Sequence, residues 1–227
     1  MFPDMKSLQN LAVVFLDRDK LVYFNSVNNQ IAVYNYPDKL VRFMEIVNSK
    51  ELEMQLKLFI NYHKLPPAKL IFILSPQITF EKNFSEEKED LQKNIIEDFL
   101  YHLPFENNVH KIYKLEKGFL LSAANIDFLQ VFMETFKNRG FTVFTVIPSS
   151  VTGMNLTTLD APSVGFLLAK TDYLKEQTMI AGLAEEAHKP KEPEKKVMGL
   201  NRVYLLLGVF VLLFSFLLFM LYRQSAG

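Results

Sequence analysis

Apolar and polar positions alternate along this chain in blocks that read as strands first and helices later. LAVVFL (Leu11–Leu16) is a continuous apolar run, the pattern of a strand buried on both faces. The turn DRDK leads to LVYF (Leu21–Phe24), and NSVNN leads to QIAVYNY (Gln30–Tyr36). Asp17, Asp19, Asn28 and Asn29 supply turn chemistry, so the blocks predict three sequential antiparallel strands. Lys50–His63 carries Leu52, Leu56, Phe59 and Ile60 at helical spacing, and Pro66 and Pro67 end it. KLIFIL (Lys69–Leu74) is a second buried strand, giving the order β-β-β-α-β.

The next blocks predict β-α-β-β-α-β over residues 77–147. QITFEKNF (Gln77–Phe84) reads as a strand. Ser85 stands where it can cap a helix, and Glu86, Glu87, Glu89 and Asp90 crowd that helix's first turns, where the peptide dipoles favour negative charge. The helix carries Leu91, Ile95 and Phe99 beside Ile96, Leu100 and Leu103, and Pro104 stops it. VHKIYKL (Val109–Leu115), a Lys117-Gly118 turn and FLLSAA (Phe119–Ala124) form a hairpin. Asn125 caps a second helix with Ile126, Leu129, Phe132, Met133 and Phe136, closed by Gly140, and FTVFTVI (Phe141–Ile147) is the last strand.

The apolar pattern changes character near the end. Val203–Tyr222 is a run of twenty uncharged residues between Arg202 and Arg223, with Val203, Tyr204, Phe210, Phe214, Phe216 and Tyr222 among them. At ~1.5 Å per residue a helix of that length crosses the ~30 Å hydrocarbon core of a bilayer. Tyr204 and Tyr222 sit near its ends, where amphipathic rings favour the interface. The expectation is a single transmembrane helix at 203–222 with a short external tail at 223–227. Lys195, Lys196 and Arg202 precede the span and only Arg223 follows it, a bias that places the N-terminal part in the cytoplasm. MFPDMKSLQN has no basic segment followed by a long apolar one, so it gives no secretion signal. Residues 184–202, rich in Lys, Glu and Pro, read as a charged linker between the membrane and a domain at 1–183.

Charge and chemistry narrow the function. The 25 Lys+Arg balance the 25 Asp+Glu, and no concentrated basic face marks a nucleic-acid binder. Cysteine is absent, which excludes disulfides and thiolate metal sites. His63, His102, His110 and His188 are dispersed, without an HExxH helix or a GxSxG elbow. No constellation supports catalysis, a bound metal or a cofactor.

FILSPQITF, the helix ending NIIEDFLYHLPFE, the FLLSAAN hairpin strand and RGFTVFTVIP occur in an order that resembles the cytoplasmic actin-like proteins of type IV pilus and type II secretion assembly platforms, the PilM and GspL relatives. Residues 10–150 carry the resemblance. It implies a mixed α+β (α/β) fold: a partial actin-like, ribonuclease-H-like lobe built by the first β-β-β-α-β, with residues 77–147 as an inserted β-α-β-β-α-β subdomain. Residues 163–183 would be a remnant hairpin of a second lobe, most of which the chain lacks. It also implies PilN-, PilO- or GspM-like platform partners and contact with membrane lipid. The exposed surface for a partner is expected on the helix starting at Glu86, at Glu87, Lys88 and Gln92, opposite Leu91, Ile95 and Phe99. One departure from the family bears on nucleotide. The first turn of an actin-type site carries an Asp-x-Gly sequence, whereas this chain has LDRDKL and no glycine before Gly118. Asp17 and Asp19 are the only carboxylates there that a magnesium ion would meet. The sequence therefore favours a non-enzymatic, membrane-anchored cytoplasmic adaptor at the bacterial inner membrane. A nucleotide-binding actin-superfamily protein and a generic tail-anchored scaffold are the alternatives.

Overall fold

A computed structural model describes residues 10–180, apart from 86–88, 155 and 157. Five strands form the central sheet: β1 (Leu11–Leu16), β2 (Lys20–Asn25), β3 (Gln30–Asn35), β6 (Lys69–Leu74) and β10 (Thr142–Pro148). Their order is β10-β6-β1-β2-β3. β1 pairs antiparallel with β2 and β2 with β3, whereas β6 lies parallel to β1 and β10 parallel to β6. Three antiparallel strands are thus extended by two parallel ones.

Two aromatic-rich helices cover one face. α1 (Ser49–Tyr62) begins where the Asn48 side chain accepts a hydrogen bond from the Glu51 backbone N–H, and it buries Leu52, Leu56, Phe59 and Ile60. α3 (Ile126–Lys137) begins at Asn125, whose Oδ1 accepts from the Asp127 and Phe128 N–H groups as the sequence indicates. Phe136 of α3 meets Tyr23, Phe72 and Phe141, and Tyr36 meets Phe128 and Phe132. On the other face Val13, Phe15, Val22, Phe24, Ile71 and Ile73 pack beneath α4 (Ala161–Ala169) and α5 (Thr171–Glu176), through Val164, Leu167 and Leu174. Burial on both faces accounts for the unbroken apolar runs of β1 and β6.

A second sheet has the order β7-β9-β8, built from β7 (Thr79–Phe84), β8 (Asn108–Lys114) and β9 (Phe119–Asn125), all antiparallel. α2 (Glu89–Tyr101) lies between β7 and β8 in sequence, and a small hairpin of β4 (Val41–Arg42) and β5 (Glu45–Ile46) follows β3. Gly118 turns the β8–β9 hairpin at φ +78°, and a Cβ there would meet the Phe84 carbonyl oxygen at 2.5 Å. Only glycine fits that turn.

Three expectations change. The last strand expected of the β-α-β-β-α-β unit, β10, belongs to the central sheet, so the inserted unit is β7-α2-β8-β9. The reason is topological: two parallel neighbours need a helical crossover, and α3 supplies it between β6 and β10. Residues 163–183 were expected as a hairpin, but the described part holds α4 and α5. Their start was signalled by Asp160, which accepts from the Ser163 N–H, and by Pro162 in the first turn. On α2, Gln92 is half-buried and Leu91 is exposed, the reverse of the expectation for these two positions. The half-buried positions of this helix are Gln92, Ile95, Ile96, Phe99 and Leu100.

Candidate functional site

In open α/β sheets ligands bind outside the carboxyl ends of the parallel strands, here the ends of β1 and β6. Asp17 closes β1 and is 5% exposed. Its Oδ1 accepts from the Ser75 hydroxyl at 2.6 Å and from the Arg18 N–H at 2.9 Å. Ser75 closes β6, and its Oγ accepts from the Gln77 N–H at 3.1 Å. The Asp17 N–H donates to the Lys20 carbonyl, so the β1–β2 turn is tight and folded back on itself. Through Oδ1, Asp17 thus pins the two strand ends together.

Beside the pin lies a cavity of about 400 Å³ lined by Arg18, Asp19, Tyr36, Asp38, Arg42 and Phe43, among others. Both charge signs line it, and the Arg18 guanidinium sits 5.0 Å from the centre of the Phe43 ring. The Tyr36 hydroxyl is buried without a hydrogen-bond partner. Burial pushes its ionisation well above the ordinary range, and the nearby Asp17 and Asp19 add to the shift. Among the described residues no cluster of three or more His, Asp and Glu side chains could hold a metal ion.

Polar contacts tie the inserted sheet to segments that flank the central one. Glu81 of β7 accepts from the hydroxyl of Ser150, just after β10, at 2.6 Å. Lys111 of β8 donates from Nζ to the carbonyls of Glu176 and Thr178 at 2.8 and 3.0 Å, at the end of α5. Partial burial lowers the Lys111 pKa. Sequence reading missed both residues because their partners lie 65 or more positions away.

The expected partner surface is described only in part. Glu87 and Lys88 lie outside the described residues, as do the membrane-anchor residues of 203–222 and Lys195, Lys196 and Arg202. Gln92 is half-buried and its side does not form the exposed face. The open positions of α2 include Leu91, Lys93, Asn94, Glu97 and Tyr101, with Lys93 and Glu97 paired at 3.9 Å. Asp98 is held by Lys82 of β7 at 3.2 Å. Among the described residues no helix is long and apolar enough to cross a membrane.

No known family profile matches the chain, and no curated protein does. Solved structures do. The PilM–PilN type IV pilus biogenesis complex matches at 12% identity and a TM-score of 0.45, over 63% of this chain and 48% of that one. The cytoplasmic domain of EpsL, an inner membrane component of the Vibrio cholerae type II secretion system, matches at 12% identity and a TM-score of 0.38, over 63% of this chain and 57% of that one. A Bacteroides thetaiotaomicron protein with an actin-like ATPase fold matches at 12% identity and a TM-score of 0.39, over 67% of this chain and 56% of that one. This chain is thus similar in structure to parts of the PilM–PilN complex and of the EpsL cytoplasmic domain. It spans about half the length of each of these three structures.

Proposed function

We propose that this chain is a non-enzymatic cytoplasmic adaptor in the inner-membrane assembly platform of a type IV pilus or type II secretion system, anchored as a single pass by residues 203–222. The observation that carries the non-enzymatic reading is the Asp17–Ser75 pin. A carboxyl group and a turn that a nucleotide site would use for phosphate and metal are spent on joining β1 to β6. The platform assignment is supported by the ordered motifs between residues 10 and 150 and by the ribonuclease-H-like strand order that those motifs imply. Its partners are then PilN-like platform proteins, with PilO- or GspM-like proteins as further candidates, and membrane lipid through the apolar run.

The inserted β7-α2-β8-β9 unit is the surface offered to the partner, with Leu91, Lys93 and Glu97 on its open side. A photo-crosslinking residue at Lys93, in the full chain in native membranes, should yield an adduct with an inner-membrane platform protein. A cytoplasm-dependent reporter should be active at the N-terminus and inactive after Gly227. An unlabelled membrane fraction with reporters of the opposite pattern would remove the proposal.

A further inference from the structure

α4 is apolar but largely uncovered. APSVGFLLA (Ala161–Ala169) holds no charged residue, yet only Val164 and Leu167 are buried against the sheet. A helix that is apolar all round is ordinarily buried all round. A cavity of about 740 Å³ opens between this helix, the start of α5 and the end of the sheet where β1 and β6 begin. That volume falls in the range of small-molecule sites. Leu11, Phe144 and Leu168 give it an apolar wall, the first buried and the other two half-buried.

Two local features shape this space. β10 carries a bulge: Val143 pairs with Leu70 and Thr145 with Ile71, so Phe144 is the extra residue. Regular alternation would send Phe144 and Thr145 to opposite faces. Instead Thr145 Oγ1 donates to the Leu174 carbonyl of α5, and Phe144 packs on the same layer. The second feature is Gly165, which lines the cavity from α4 together with Leu168 and Ala169, three and four residues on. Its φ is helical, so the backbone does not require glycine, and glycine weakens a helix interior. A Cβ placed there would meet no atom within 4 Å. The chain's own packing therefore gives no reason for the missing side chain, whereas a molecule in the cavity does.

Charge at the rim narrows the class of molecule. Lys69, Asp172 and Lys175 are the exposed charged residues of the lining, and none has an ion-pair partner among the described residues. Lys175 Nζ lies 5.7 Å from the centre of the Phe144 ring, so one ammonium group stands over the apolar wall. Two ammonium groups against one carboxylate leave the rim net positive.

We propose that this cavity binds a single-chain amphiphile with an anionic head, of the fatty-acid class. Its hydrocarbon chain lies against Leu11, Phe144 and Leu168 and over Gly165, and its carboxylate meets Lys69 and Lys175. A small polar anion would engage the lysines but leave the apolar wall wet. An uncharged hydrocarbon would cover the wall but leave both ammonium groups without a counter-charge. This binding requires neither the proposed anchor nor a platform partner.

The test uses the full chain in nanodiscs of zwitterionic lipid, where no detergent competes. The probe is dodecanoate carrying a photoreactive diazirine on its chain. Adducts mapped by mass spectrometry should fall on the peptides that hold Leu11, Phe144 or Leu168, and excess unlabelled dodecanoate should suppress them. The matching dodecanol probe should label these peptides several-fold less. Gly165→Leu fills the space that the glycine leaves and should cut cavity labelling by roughly tenfold or more. Its Tm should equal or exceed that of the wild type, because leucine is the better helix former. Lys69→Gln with Lys175→Gln, both at exposed positions, should abolish the preference for acid over alcohol, and this pair serves even where Gly165→Leu fails to fold. Adducts confined to residues 203–222, equal labelling of the wild type by acid and alcohol, or wild-type behaviour of either folded variant would each overturn the inference.

Discussion

Replacing Asp17 with Ala separates a structural pin from a nucleotide site. The substitution removes the acceptor of the 2.6 Å bond from Ser75 and the 2.9 Å bond from the Arg18 N–H. Ser75 is buried, so its hydroxyl loses a partner that water does not easily replace. A hydrogen bond to a charged group contributes about 1.5–3 kcal/mol, and an unsatisfied buried donor adds a cost of similar size. We expect Asp17→Ala to destabilise the fold by about 2–3 kcal/mol. For a cooperative unit of this size that lowers Tm by about 5–10 °C. Ser75→Ala should cost less, and the double substitution should cost less than the sum by about 1 kcal/mol, the mark of a direct contact. The assay is a thermal scan of all four proteins, with and without ATP and magnesium. A ligand at ~100 times its Kd would add about 2.7 kcal/mol to the wild type, a shift of several degrees. The pin predicts no such shift. The reasoning fails if Asp17→Ala leaves Tm unchanged, or if ATP with magnesium raises the wild-type Tm and Asp17→Ala abolishes the rise.

Two further outcomes follow from local geometry. Gly118→Ala should destabilise by about 1–3 kcal/mol, because the added Cβ meets the Phe84 carbonyl at 2.5 Å in a left-handed turn; an unchanged urea midpoint would show that β7 moves aside freely. Burial raises the pKa of Tyr36 and, reinforced by Glu81 and Tyr173, that of Tyr113, so both stay neutral in the fold where an unfolded tyrosine ionises. Their contribution is fully present below pH ~10 and is lost as pH rises from there toward the folded values. Both hydroxyls lack hydrogen-bond partners. Tyr36→Phe with Tyr113→Phe should therefore cost little at neutral pH and flatten the alkaline decline in stability, and an unaltered decline would assign it to other groups.

The elements themselves were legible in the sequence. The runs at 11–16 and 69–74 gave buried strands, Asn125 gave the start of α3, and Pro66 and Pro67 gave the end of α1. Those signals are local: propensity, periodicity and capping act over a few residues of covalent neighbours. The likeness to PilM and GspL relatives was also carried by short ordered motifs, and the order of β1 to β3, α1 and β6 follows it. What the sequence left open was which strands would share a sheet and which face of a helix would turn inward. FTVFTVI reads as a strand in either sheet, and only the crossover through α3 assigns it to a place beside β6. Gln92 and Leu91 occupy adjacent helical positions, and only the packing of α2 decides that the polar one is covered and the apolar one open. Asp17 looked like an ordinary turn residue, and its bond to Ser75 spans 58 positions. Contacts of that range are selected by the sum of burial over the whole domain, a quantity that no window of neighbouring residues contains.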